Sequence, residues 1–310
     1  MRTRTISMAT IAATVLMTVG ASAAFATTEP PEPTDSAAPA GTAVGSSVPA
    51  GTIPDPAECA AGLTLEDGVL TVATGEPAFP PYVIDDDPTN GEGFEAAVAY
   101  AVASQMGFEP DAVEWVRTPF EAAIAPGPAD FDFNIQQYGI TPEREEVISF
   151  SLPYYTSTHA MIALADTAAA EAASIPALQA LRIGVASGTT TLQFVEDVIQ
   201  PSNPPQVFND NASVVQALST QQIDAIIVDL PTALFLSATE EQLAEAVVVG
   251  QFPPVDSAEG EPWGLLFEKD NPLVECVDYA LLNLRESGEL EAITTEWMED
   301  STAVPLIDLE

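Results

Sequence analysis

Positive charge is what this chain has least of. Lysine and arginine together number seven against 47 acidic residues, a formal net charge of −40. Lys269 is the only lysine, and Arg2 and Arg4 stand at the extreme N-terminus. So acidic a surface repels phosphate backbones and anionic lipid, which excludes a nucleic-acid partner. It is a solvated coat, and its field disfavours anionic ligands over a range of about 8–10 Å before salt screens it.

Histidine is scarcer still. A Ser-His-Asp triad would have to use His159, and no G-x-S-x-G elbow accompanies it. Cys59 and Cys276 are too few, without histidine partners, for a zinc centre, so no metal is expected. Phosphate-binding and dinucleotide-binding glycine motifs are absent, and no cofactor is expected. Two cysteines in an exported chain suggest one disulfide; two buried free thiols are the alternative.

Long hydrophobic runs are missing as well. The stretch from Ile6 to Val19 follows Arg2 and Arg4 and leads to Ala24-Phe25-Ala26. It is short and rich in Ala and Thr, so it reads as a secretion signal (residues 1–26), cleaved after Ala26 or Ala23. An uncleaved anchor is the competing reading. No cysteine stands near the cleavage site to carry a lipid. Residues 27–60 are dominated by Pro, Ala, Gly, Ser and Thr and carry no apolar period, as a disordered linker does. The remainder of the chain is long enough for two compact domains, without internal repeats.

In that remainder strand-like and helix-like runs alternate, which predicts an α/β architecture with mainly parallel sheets. Strands are expected at 70–74, 113–116 and 131–136, with a helix from Phe94 to Met106 closed by Gly107. A second set begins with a strand at 181–186. The turn Ser187-Gly188-Thr189-Thr190-Thr191 then opens a helix through Val198. Strands at 206–208 and 223–229 flank a helix at 212–218. A strand at 263–267 and helices at 273–287 and up to Met298 complete the pattern.

The run Phe131–Tyr155, FDFNIQQYGITPEREEVISFSLPYY, carries the strongest functional signal. Pro142 ends a strand at a tight turn that presents the Thr141 hydroxyl and the Arg144 guanidinium, whose fork matches a carboxylate in two parallel hydrogen bonds. This run, with Ser187-Gly188-Thr189-Thr190 and Asp229, resembles the signature of family 3 extracellular solute-binding proteins, the amino-acid receptors of ABC importers. The resemblance spans about Leu70 to Met298.

It implies a two-lobe, periplasmic-binding-protein-like (type II) fold with two hinge strands and a ligand cleft between the lobes. Lobe I would take residues 61–155 and 262–310, lobe II residues 160–258, with hinges near 155–164 and 254–263. Both cysteines would then lie in lobe I. By the same resemblance Arg144, Thr141, Thr190 and Ser187 hold a ligand carboxylate, and Asp229 and the Gln137 carbonyl hold its ammonium. Glu76, Phe79 and Phe120 meet its side chain, with Arg117 able to approach near Phe120. Gly139 stands where the family carries a threonine, so one ammonium contact is missing.

The implied partners are a polar, neutral or cationic L-amino acid and the membrane permease of an importer. The protein is expected to be monomeric, secreted, and extracellular, envelope-associated or periplasmic. A dehydratase of the cyclohexadienyl or arogenate type, with Glu76 as general acid, is the enzymatic alternative. His159, in a hinge strand, is expected to be structural.

Overall fold

The computed structural model describes residues 53–238, 243, 245–255, 260–298 and 304–309. The expected signal peptide, and the linker as far as residue 52, lie outside the described residues. Two five-stranded sheets organise the rest. The first contains β1 (Leu70–Thr74), β2 (Val113–Arg117), β3 (Phe133–Asn134) and β4 (Ile148–Phe150). The chain then passes through β5 (Tyr155–Ser157) into the second sheet. That sheet contains β6 (His159–Leu164), β7 (Ile183–Ala186), β8 (Gln206–Phe208), β9 (Ala225–Asp229) and β10 (Ala246–Gln251). It returns through β11 (Glu261–Trp263) to β12 (Leu266–Glu268), which closes the first sheet.

The strand orders are β2-β1-β3-β12-β4 and β10-β6-β9-β7-β8. β5 and β11 pair antiparallel, Tyr155 opposite Trp263, as a two-stranded hinge. The expectation of mainly parallel sheets needs correction. β1 is parallel to β2 and β3, and β7 to β8 and β9, but β12 and β6 run antiparallel to their neighbours. The cause is the hinge itself, because each strand continuing from it enters its sheet against the local direction. For the same reason 159–164 is a central strand of the second sheet rather than an extension of the hinge.

Helices cover these sheets: α1 (Pro56–Ala60), α2 (Phe94–Gln105), α3 (Phe120–Ile124), α4 (Pro142–Glu145), α5 (Ile175–Gln179), α6 (Thr190–Phe194), α7 (Asn211–Ser219), α8 (Leu230–Ala238), α9 (Leu273–Ser287) and α10 (Glu289–Trp297). The first core joins Leu70, Val72, Phe94, Phe133, Phe267 and Leu281, all fully buried. The second sheet packs Met161, Ile183 and Ile227 on one face and Ile162, Val214 and Ile226 on the other. Each such side chain contributes about 1.5–3 kcal/mol by leaving water.

Two expected boundaries move. The stretch 27–60 was expected to be linker to its end, yet α1 forms there. Asp55 caps it, accepting from the Ala57 N–H at 2.9 Å, and Cys59 is disulfide-bonded to Cys276 of α9. The C-terminal residues, expected in the first lobe, pack on the second sheet instead. The Gln251 N–H donates to Pro305 O and the Ile307 N–H to Gln251 O, both at 2.8 Å, and Ile307 is buried in the second core. Ile307 fits there because Gly250 has no side chain: a Cβ would meet its Cγ1 at 2.7 Å.

Candidate functional site

A cavity of about 330 Å³ opens where β7 and β9 end, facing the loop after β1. Strand C-terminal ends in an open α/β sheet are where ligands ordinarily sit. Of the residues expected to bind ligand, Glu76, Phe79, Phe120, Gln137, Ser187, Thr190 and Asp229 line it. Thr141 and Arg144 do not.

Arg144 is buried and bonded to backbone. Its Nη1 donates to Gly139 O at 2.7 Å and its Nη2 to Gly188 O at 2.9 Å, so one guanidinium ties α4 to the turn after β7. Gly188 presents that carbonyl from a left-handed φ of 70°, a conformation that glycine adopts without steric cost. The guanidinium carbon stands 5.7 Å from the centroid of Phe120, which stacks on Tyr138. The Thr141 hydroxyl accepts from the Arg144 N–H at 3.2 Å and so caps α4. Thr189 caps α6 in the same way, from Leu192 N–H at 3.2 Å.

Asp229 lies at the end of β9, where its carboxylate accepts from the Thr232 N–H and hydroxyl at 2.9 Å and from the Tyr82 hydroxyl. Tyr82 follows β1, so this bond also crosses the cleft. Burial raises the Asp229 carboxyl above the usual range, although Tyr82 and Thr232 oppose the shift. Glu76 is exposed at the cavity's rim.

Three groups that sequence reasoning passed over shape the site. Glu95, fully buried in α2, accepts from the Gln137 N–H at 2.8 Å, from the Gln137 side-chain amide and from the Tyr154 hydroxyl. Desolvation lifts its carboxyl to about 7 despite those donors. Gln137 is therefore held from beneath, at a φ of 48°, and its amide is spent on Glu95 rather than on the cavity. The signal was present: a carboxylate among apolar residues at the start of a helical stripe.

Glu261, on β11, lines the cavity and takes the Thr190 hydroxyl at 2.8 and 2.9 Å to its two oxygens. His159, expected to be structural, lines the cavity too, with Nε2 at 3.5 Å from Glu261. Burial pushes its imidazole down to about 4, so it is neutral near pH 7. Arg117 pairs with Asp86 at 2.8 Å and donates to Gly75 O at 2.7 Å, which holds it off the cavity wall. Among the described lining residues the charged side chains are acidic: Glu76, Asp210, Asp229 and Glu261.

Several known proteins similar to this chain are named for the amino acids they bind. The "Arginine-binding periplasmic protein" of Mannheimia haemolytica is 27% identical over 244 residues, covering 76% of this chain and 97% of the relative. A solved ancestral arginine-binding protein bound to arginine is 27% identical, with a TM-score of 0.64, covering 75% of this chain and 99% of its own. An ancestral arginine-binding protein bound to glutamine has the same identity, a TM-score of 0.63, and covers 75% of this chain and 98% of its own. The profile of bacterial extracellular solute-binding proteins, family 3, matches residues 70–300, which takes in both sheets, the hinge and the cleft. The chain belongs to that family.

Proposed function

We propose that the chain is the receptor of an ABC importer for a polar, neutral or cationic L-amino acid, closed over its ligand by the β5–β11 hinge. The observation that carries this reading is the cavity wall itself. An ammonium has Asp229 at the end of β9, and a side chain extending to the rim meets Glu76, Phe79 and Phe120. The hydroxyls of Thr190 and Ser187 serve the carboxylate, with the Arg144 charge behind them. An anionic side chain finds no cation on the described wall and enters a strongly negative field. The protein acts as an exported monomer that delivers its ligand to a membrane permease.

Competition calorimetry with arginine, glutamine and glutamate tests the assignment. Asp229→Asn should weaken all amino-acid ligands by about 1.5–3 kcal/mol, because the shared ammonium loses a charged acceptor. Glu76→Gln should weaken arginine more than glutamine, because it meets the side chain. Tightest binding of glutamate by the parent protein would overturn the specificity.

A further inference from the structure

A carboxylate already sits among the donors assigned to the ligand's carboxylate, and it belongs to the protein. Glu261 receives the Thr190 hydroxyl on both oxygens and is attracted by the Arg144 guanidinium. His159 Nε2 lies 3.5 Å from Oε2, one of those same oxygens. Arg144 itself is absent from the cavity wall, and Glu261 takes its place there. Room for the Glu261 side chain comes from Gly139, where an added Cβ would fall 1.8 Å from Oε1. A second carboxylate brought to the same donors meets like charge at close range and finds the Thr190 proton already engaged.

We propose that Glu261 is a built-in occupant of the carboxylate site, which an amino-acid ligand must displace to bind. This rests on the amino-acid reading above and adds to it an affinity-setting residue on the hinge. Occupancy holds Thr190 of α6 against β11 without ligand, so ligand entry exchanges one carboxylate for another. The net gain is therefore smaller than the contacts alone would give.

The exchange also releases protons. Desolvation raises the Glu261 carboxyl to about 7, with the nearby Asp229 charge adding to the rise and Thr190 and Arg144 opposing it. That rise means the site holds the neutral acid better than the carboxylate, and a side chain displaced to water ionises there, so binding releases a proton and affinity should fall as pH falls from 8 to 6. The other charged or titratable groups facing Glu261 are Arg144 from α4, His159 from β6 and Asp229 from β9. Arg144 stays charged and His159 neutral in that window. Protonation of Asp229 would act in the same direction, by removing the ammonium's partner, and is common to parent and variant. Glu95 titrates nearby but is common to parent and variant.

Calorimetry of the full exported chain with L-arginine, L-glutamine and agmatine, which is arginine without its carboxylate, decides the matter. Glu261→Gln should tighten arginine and glutamine by roughly tenfold, consistent with a charge-assisted hydrogen bond no longer competing, and should remove most of the pH slope. Agmatine should not tighten. Gly139→Ala leaves Glu261 in place but pushes its carboxylate aside, and should tighten the amino acids in the same direction. Equal weakening of arginine and agmatine in Glu261→Gln would overturn the proposal and make Glu261 an ammonium acceptor. Unchanged arginine affinity in both variants would overturn it as well. A parent and variants that bind no amino acid would instead overturn the functional reading, and this inference with it.

Discussion

Arg144→Ala should lose about 3 kcal/mol of ligand binding, roughly a hundredfold in affinity, while the isolated sheets stay folded. The side chain is 8% exposed and satisfies one carbonyl on each side of the cleft, Gly139 O and Gly188 O. Its removal leaves both carbonyls without this donor and leaves the Glu261 carboxylate without its opposing charge. The closed arrangement suffers most, since only there does one guanidinium reach both carbonyls. Arg144→Lys keeps the charge but not the planar fork, so it should recover part of the loss and not all of it. Calorimetry with arginine measures the affinity, and small-angle scattering with saturating arginine reports closure. Wild-type affinity in Arg144→Ala would show that the guanidinium is incidental to binding.

Replacing Cys59 and Cys276 together by serine should lower the unfolding free energy by about 3–5 kcal/mol. The bridge closes a loop with a sequence separation of 217, and long loops restrict the unfolded chain most. It pins the short α1 to α9, and Cys276 is completely buried in the first core. Both partners lie on the first sheet's side, so hinge motion does not strain the bridge and ligand affinity should hold. Urea unfolding of the double variant, at matched ligand concentration, is the measurement. An unchanged midpoint would mean that the folded state, not the loop constraint, already fixes α1.

Much of this architecture was legible because it is locally encoded. The run Leu70–Thr74 is buried at most positions and β-prone, and Leu273–Ser287 is bounded by Pro272 and the left-handed Gly288. Gln206–Phe208 and the start of α2 also fall where apolar pattern and flanking turns place them. Arg144 and Asp229 stood out as charges at the ends of strand-like runs. Other features depend on distant partners. β3 was expected over Phe131–Gln136 but pairs only at Phe133–Asn134, because the chain turns through the left-handed Gln137 to reach Glu95. The expected strand 263–267 divides at Gly264, whose N–H bonds to Tyr138 O, into a hinge strand and a sheet strand.

The site shows the same division. Glu76, Phe79, Phe120, Ser187, Thr190 and Asp229 converge on one cavity, as the motif pattern implied. That Arg144 would spend its fork on Gly139 and Gly188, and that Glu261 would fill the place beside Thr190, could not be read from local sequence. The Arg144–Gly188 bond and the Glu261–Thr190 contact join segments far apart in the chain.

The C-terminal residues have a bearing on solubility. β10 is the outermost strand of its sheet, and residues 305–307 occupy its free side through Gln251. An uncovered edge strand offers its backbone to any other chain that can pair with it. Ending the chain at residue 303 would unpair Gln251 at the end of that edge and open the apolar recess filled by Ile307. The shortened protein should self-associate at concentrations where the full chain does not, and sedimentation velocity would reveal it. So acidic a protein would ordinarily be expected to stay dispersed by charge alone. Here a short C-terminal segment guards against the one form of aggregation, strand joining strand, that net charge resists least.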